Sequence, residues 1–382
     1  MVTAPQLITG LPAQSLTPGY VEISQGEVAD VGEGTPPRPA DVVLPDGILV
    51  PGFVDLQVNG YYGQELMAGR PDGWAEVVRR LPETGTTAFL PTFITAPLDR
   101  LAAAFRATQA FVPDLPTGAR VLGIHLEGPF IAPSRRGAHN EAWIVDPTSG
   151  AIDQLLTAAG SLLRLVTLAP ERPGGPAAVT QLTAAGVLVS VGHSDATAAQ
   201  VAKAADRGAR MVTHLFDAQR PLHHREPGVV GQALGDPRLT SGLIADLHHV
   251  AGLACRIAFA AAPGRIAIVT DAAACAGMPP GRYLLGGEAI ELPPAAGQPP
   301  IRADGTLAGS ALRMDTGVAN MVAAGVDLAA AIAAATRIPA DLIGCPTQGR
   351  IAPGAAGDLV WLGPDLQARA TWIGGQRVFG PE

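Results

Sequence analysis

The sequence predicts an α/β protein: a (β/α)₈ TIM barrel carrying a small β-sandwich domain built from both chain termini. Three observations lead there. Through the middle of the chain, short apolar runs of strand length alternate with longer Ala- and Leu-rich segments of helical period, the pattern of βα units around a parallel sheet. Eight such runs can be counted, which fits a closed barrel better than a doubly wound sheet. At both ends of the chain the pattern gives way to short alternating stretches bounded by Gly and Pro, and neither end alone holds enough strands for a core. The expected division is residues 1–50 with 345–382 for the small domain and 51–344 for the catalytic barrel.

In chain order, Tyr20 to Ile23 and Val42 to Val50 read as strands of the small domain. The eight barrel strands are expected to end near Asn59, Phe93, Glu127, Leu168, His193, His214, Asp246 and Asp271. Helical stretches follow most of them, at Trp74 to Thr84, Leu98 to Phe111, Ala196 to Arg207, Leu253 to Ala262 and Asp315 to Ala335. A Gly/Pro-rich stretch from Pro279 to Gly309 interrupts the pattern, leaving room for a hairpin or a flap. Strands resume at Asp358 to Leu362 and Ala370 to Val378, the latter holding a turn signal at Gly374 and Gly375.

With 382 residues, 47% hydrophobic and only 16% charged, the chain is globular and has room for a large core. Its 26 basic and 34 acidic side chains give a net charge of -8, and aromatics are 4%, so no basic field with interleaved aromatics exists to hold nucleic acid or an anionic membrane. The longest apolar stretches, around Val250 to Ala262 and Met321 to Ala335, are broken by Arg256 and Asp327 and read as buried helices, with no membrane span. The N-terminus has no basic region followed by an apolar run, so a cytoplasmic location is the default expectation. Cys255, Cys275 and Cys345 are too few and too scattered for a disulfide framework and read as small core residues.

Polar residues collect at the C-terminal ends of the barrel strands, which converge on one mouth in this fold. They are Gln57 and Asn59 after the first strand, Glu127 after the third, His193 after the fifth, His214 after the sixth, His248 or His249 after the seventh and Asp271 after the eighth. All eight histidines lie between His125 and His249. One carboxylate and two imidazoles from three strands form a plausible facial set for a divalent metal, so Glu127, His193 and His214 are assigned to it. Asp271 ends a very apolar strand with no basic neighbour in sequence, which suits a general base beside a metal site; the alternative is an N-cap for the following turn.

At this point the chain resembles the amidohydrolase superfamily, and within it the N-acetylglucosamine-6-phosphate deacetylases. The segments carrying the resemblance are Pro51 to Gly60, His125 to Phe130, Gly192 to Ala196, Thr213 to Phe216, Arg225 to Gly228, Val269 to Ala272 and Leu307 to Ser310, in family order. The resemblance implies a homodimer that hydrolyses an acetamide to a free amine and acetate. Most superfamily members hold a second metal through a His-x-His pair where this chain has Gln57-x-Asn59, and amides are far poorer ligands than imidazole. One divalent metal ion per subunit is therefore expected, zinc first, with iron, manganese or cobalt as alternatives. By the same resemblance His139 donates to the acetamide carbonyl, His249 rather than His248 binds substrate, and Arg225 binds phosphate, in its own subunit or across the dimer. Asp217 and Ala218 fall where the family approaches the sugar phosphate.

The match departs from the family at Asp217, usually Asn, because a carboxylate beside a phosphate is repulsive. Tyr61 and Tyr62 replace glycines of the first loop, either to stack on a sugar face or to cover the barrel end. His223 and His224 are left outside the catalytic set, and His125 reads as a satisfied barrel-interior residue ahead of a support for the metal. The expected reaction is deacetylation of N-acetylglucosamine 6-phosphate. The alternatives are the same chemistry on an unphosphorylated or different N-acyl amine, and a non-catalytic structural relative, which the joint presence of Glu127, His193, His214 and Asp271 disfavours.

Overall fold

The computed structural model describes residues 1–12, 14–295 and 297–381. Eight parallel barrel strands run Phe53–Val58, Thr86–Ile94, Ile124–Glu127, Leu163–Leu168, Leu188–Val191, Met211–Val212, Thr240–Ile244 and Ile266–Val269. Each pairs with the next in sequence. The eighth closes on the first through a parallel bridge between Val58 and Ala272 and the Asp271 N–H to Gln57 carbonyl bond of 2.9 Å. All eight expected strands are present in the expected order, with ends within two residues of the sequence reading. Side chains such as Leu56, Phe89, Leu126 and Ile268 are fully buried, as a barrel packed inside and sheathed by helices requires.

The helix Leu98–Phe111 has the expected bounds, and Ala198–Asp206 opens with a capping box between Thr197 and Gln200. Two expectations change. The stretch Asp315 to Ala335 is two helices, Met314–Ala323 and Leu328–Ala335, because Gly325 turns left-handed at φ +92° and Asp327 caps the second by accepting the Ala330 N–H. Val42 to Val50 is likewise two strands, Val42–Val43 and Ile48–Pro51, in different sheets. Pro45 lacks an N–H and Gly47 has φ +69°, so the chain turns between them.

The two ends of the chain meet where Leu359–Leu362 pairs antiparallel with Ile48–Pro51 in a six-stranded sheet. A four-stranded sheet holds Val2–Ala4, Gly19–Ser24, Glu27–Glu33 and Val42–Val43. Together they bury a separate cluster that includes Leu7, Val21, Leu49, Leu359 and Trp372. Gly374 and Gly375, at φ +56° and +78°, make the expected hairpin turn between Ala368–Ile373 and Gln376–Phe379. The Gly/Pro-rich stretch contains the hairpin Gly281–Leu285 with Glu288–Leu292, whose Leu285 and Ile290 pack on Ile94 and Cys275 near the barrel mouth. Cys255 and Cys275 are buried core residues, whereas Cys345 is only half-buried. Among the described residues no helix is long and apolar enough to cross a membrane.

Barrel closure also explains Asp55, a buried carboxylate the sequence reading passed over. It accepts the Gln57 and Thr270 N–H groups at 3.1 and 3.2 Å and the Thr270 hydroxyl at 2.6 Å, latching the first strand to the eighth. Burial pushes its carboxyl up to about 7 against the pull of those donors. A folded pKa above the unfolded one means that the folded state holds the extra proton between them. This contribution to stability is full below about pH 4 and is lost as pH rises through about 7. Asp55→Asn removes the dependence, so urea unfolding at about pH 5 and about pH 8 is expected to show the variant gaining on the wild type as pH rises. A constant difference across that range contradicts the assignment.

Candidate metal and catalytic site

Five polar groups leave the barrel at its C-terminal mouth: Asn59, Glu127, His193, His214 and Asp271 all line one cavity of about 310 Å³. Three of them stand in left-handed backbone, His193 at φ +49°, His214 at +25° and Asp271 at +51°. For residues with a Cβ this conformation costs on the order of 1–3 kcal/mol each and persists only where neighbours hold it. Here they do. The Asp271 carbonyl accepts the Ser310 N–H at 2.8 Å, that of His193 accepts the Ala132 N–H at 2.8 Å, and that of His214 accepts the Asp217 N–H at 3.0 Å. Gly192 lets the fifth strand turn, since a Cβ there would sit 2.7 Å from both Thr167 Cγ2 and Thr213 Cβ.

Glu127 is the centre of the cluster. Its Oε1 lies 2.9 Å from His214 Nε2 and 3.3 Å from His193 Nε2, and its Oε2 lies 3.8 Å from His139 Nε2. Burial works to raise this carboxyl, but the hydrogen bonds and charges of His193 and His214 override it and hold it well below the usual carboxylate range. For His214, burial pulls downward and the Glu127 hydrogen bond and charge outweigh it, lifting the ring to about 9.

Tautomers follow from the second ring nitrogens. His193 Nδ1 is 2.8 Å from the Arg135 carbonyl, which can only accept, so Nδ1 carries a proton and Nε2 is the nitrogen turned toward Glu127. At His139 the partner is a donor: the Thr95 backbone N–H reaches Nδ1 at 3.4 Å, and the Thr95 hydroxyl is 2.7 Å away. His139 Nε2 is therefore the protonated nitrogen, and burial with the His193 charge lowers the ring to about 3, keeping it neutral.

Ring nitrogens of His193 and His214 that share one carboxylate oxygen form an N/O donor set of the kind that takes a zinc-class ion. His214 Nδ1 is buried with no hydrogen-bond partner among the described residues. Among the described residues the three side chains whose ligand atoms all lie within 4.8 Å of one another are Glu127, His139 and His193, so His139 stands where the sequence predicts His214, which meets Glu127 alone at 2.9 Å. Glu127 and His193 are common to that group and to the expected one, and His139 and His214, whose Nε2 atoms both face Glu127, are the two candidates for the third position.

Gln57 and Asn59 are tied to Asp271. Gln57 Nε2 donates to Glu127 Oε1 and to Asp271 Oδ1, both at 3.0 Å, and Asn59 Nδ2 donates to Asp271 Oδ1 at 2.7 Å. Reversing the Gln57 amide would set its oxygen against two carboxylates, so this orientation is the one the charges allow. Both amides fall on Oδ1, and Oδ2 of Asp271 takes no hydrogen bond among the described residues. Burial, and then the Glu127 charge, push Asp271 up to about 7.

The amidohydrolase family model matches residues 48–378. The chain belongs to the amidohydrolase family. It is 39% identical over 350 residues to the N-acetylglucosamine-6-phosphate deacetylase of Danio rerio, spanning 87% of this chain and 84% of that one. It is 37% identical over 362 residues to the N-acetylgalactosamine-6-phosphate deacetylase of Escherichia coli O157:H7, spanning 94% and 95%. The solved N-acetyl-D-glucosamine-6-phosphate deacetylase of Mycobacterium smegmatis superposes with a TM-score of 0.93 at 36% identity, covering 99% of each chain.

Other expected residues of this amidohydrolase fall into two groups. Ala218, Asp217 and His249 line the cavity with the cluster. Neither His248 nor His249 is in a strand: the seventh strand ends at Ile244, and Asp246 Oδ1 accepts both their N–H groups at 2.9 Å in a turn. That turn leaves His248 exposed and holds His249 Nδ1 at 2.7 Å from Asp246 Oδ2. Arg225 lies apart. It is exposed with His223 and His224, 3.0 Å from His224 Nε2, and does not line the cavity of its own chain.

Tyr61 and Tyr62 are buried cover for the barrel end, bonded to the Leu312 carbonyl and to Glu83, and Arg80 sits 3.6 Å over the Tyr62 ring. His125 is a satisfied interior residue, its Nε2 2.8 Å from the Thr167 hydroxyl. The sequence reading missed Thr95 and Arg135. Thr95 carries a weak signal, a hydroxyl just past a long apolar strand, whereas the Arg135 contribution is a backbone carbonyl and has none.

Proposed function

We propose that this amidohydrolase cleaves the acetamide of N-acetylglucosamine 6-phosphate to glucosamine 6-phosphate and acetate. The observation that carries the reading is the buried Asp271 carboxylate, pinned through Oδ1 by two amides and set beside Glu127, His193, His214 and His139 in one cavity. Relatives named for this reaction, similar over nearly the whole chain, support the substrate. Glu127, His193 and His214 would hold one divalent ion, zinc first, which supplies Lewis acidity to the acyl carbonyl and acidifies a water.

The chain's own residues do the rest. Asp271 takes the proton of the attacking water on Oδ2 as the oxygen bonds to the carbonyl carbon. The negative charge that develops on the carbonyl oxygen is met by the Nε2–H of neutral His139. Asp271 then returns the proton to the amine nitrogen as the C–N bond breaks, releasing acetate and the free amino sugar. His249 and Ala218 line the same cavity and would contact the sugar, while Arg225, exposed and outside that cavity, would serve a neighbouring subunit of a homodimer.

Asp217 favours a second reading, the same chemistry on an unphosphorylated N-acetyl amino sugar. Its Oδ2 is buried with no hydrogen-bond partner among the described residues, and burial raises its carboxyl to about 6, offset in part by His214 and His249. Amine release from N-acetylglucosamine 6-phosphate and from N-acetylglucosamine, side by side on metal-quantified protein, separates the two. We expect a kcat/KM preference of at least about 100-fold, worth roughly 2.7 kcal/mol, for the phosphorylated sugar. No preference, or the reverse, selects the second reading.

A further inference from the structure

The segment from Ala132 to His139 is docked on the turn that carries His193, and the docking is built around a side chain with no part in the chemistry above. Asp195 Oδ1 accepts both Nε and Nη2 of Arg135, at 3.0 and 2.8 Å, and its Oδ2 accepts Nη2 of Arg220 at 2.8 Å. Arg135 in turn offers its carbonyl to Nδ1 of His193. Gly137, at φ +54°, brings the segment so close that a Cβ would lie 3.2 Å from His193 Cε1. On the other side, the Asp195 N–H donates to Glu171 Oε1 at 2.6 Å and the Ser194 hydroxyl to Glu171 Oε2 at 2.7 Å, fixing the turn from below.

We propose that Asp195 is a positioning residue: by holding the Arg135 guanidinium it aims the Arg135 carbonyl at His193 Nδ1 and so fixes the tautomer and direction of a metal-ligating ring. The inference rests on His193 being a ligand. The geometry gives the latch a specific job. A ring that ligates through Nε2 needs Nδ1–H held by an acceptor, and loss of such a supporting contact typically lowers metal affinity by about 10–100-fold. The ion pairs themselves do little for the fold, since Arg135, Asp195 and Arg220 are each about one-third exposed (31%, 33% and 33%) and water screens them.

The test is Zn²⁺ affinity of the full-length chain, stripped by chelation and titrated against a chromophoric competitor, with thermal melting of the metal-free protein alongside. Asp195→Ala is expected to lose about 10–100-fold in affinity with the melting temperature nearly unchanged. Asp195→Asn keeps an oxygen for Arg135 and gives up only the Arg220 contact, so it should stay within about threefold of wild type. Arg135→Ala leaves the carbonyl but frees it, and should match Asp195→Ala; the double variant should lose no more than either single one, because both remove one latch. Wild-type affinity in Asp195→Ala, or additive losses in the double variant, overturns the proposal. His193→Ala is the control: if it binds Zn²⁺ like the wild type, the ligand assignment has failed instead. Should Asp195→Ala not fold, Arg135→Ala carries the same measurement.

Discussion

Asp271→Asn is expected to lower kcat by about 10²–10⁴-fold, the usual contribution of a positioned acid–base group, with KM and metal content close to wild type. The substitution is close to isosteric where it counts. The Asn oxygen can still accept Gln57 Nε2 and Asn59 Nδ2, the two donors that now converge on Oδ1 of Asp271, so the clamp on this side chain is preserved. What is lost is the second carboxylate oxygen, the one without a hydrogen bond and so available to a water proton. Steady-state amine release and metal analysis on the same preparation check this. A rate within tenfold of wild type would remove Asp271 from the mechanism and return it to the bland alternative, a cap on the following turn.

Glu127→Gln should act differently, through the metal. Glu127 is the one anion at the centre of the cluster, facing His193 Nε2, His214 Nε2 and Gln57 Nε2. A Gln side chain has one oxygen for these partners and no charge, and its own amide hydrogens cannot face the Gln57 amide group without collision of like dipoles. Metal affinity should fall by at least the roughly 10–100-fold that loss of a mere supporting contact costs, and activity should fall with occupancy. Elemental analysis after dialysis, paired with the rate, gives the answer. Full occupancy with full activity would show that another group, such as His139, takes its place among the ligands.

Much of the architecture was legible because it is written in local periodicity. Leu98 to Phe111 repeats its apolar residues at helical spacing and was recognisable to its last residue, and the Gly374-Gly375 turn needs only two residues that tolerate positive φ. The strand ends were legible for a related reason: a Glu, His or Asp at the end of an unbroken apolar run is costly to bury without a purpose. The split of Val42 to Val50 and of Asp315 to Ala335 carried local signals too, Pro45 and Gly325, but a continuous apolar pattern masked them.

The sequence by itself therefore determined the barrel, the sheet made from both ends, and the meeting of Glu127, His193, His214 and Asp271 at the barrel mouth. Only the tertiary structure decided what each of them faces. That Gln57 and Asn59 clamp Asp271, that His139 carries its proton on Nε2, that Tyr61 and Tyr62 cover the barrel end and that Arg225 lies outside its own cavity all depend on groups brought together across the fold. The physical reason is the range of the information. Periodicity and turn chemistry act within a few residues and leave a pattern in the chain. The carbonyl of Arg135 that orients His193 is 58 residues away, and the same carbonyl is present at every residue, so nothing in the amino-acid letters marks it.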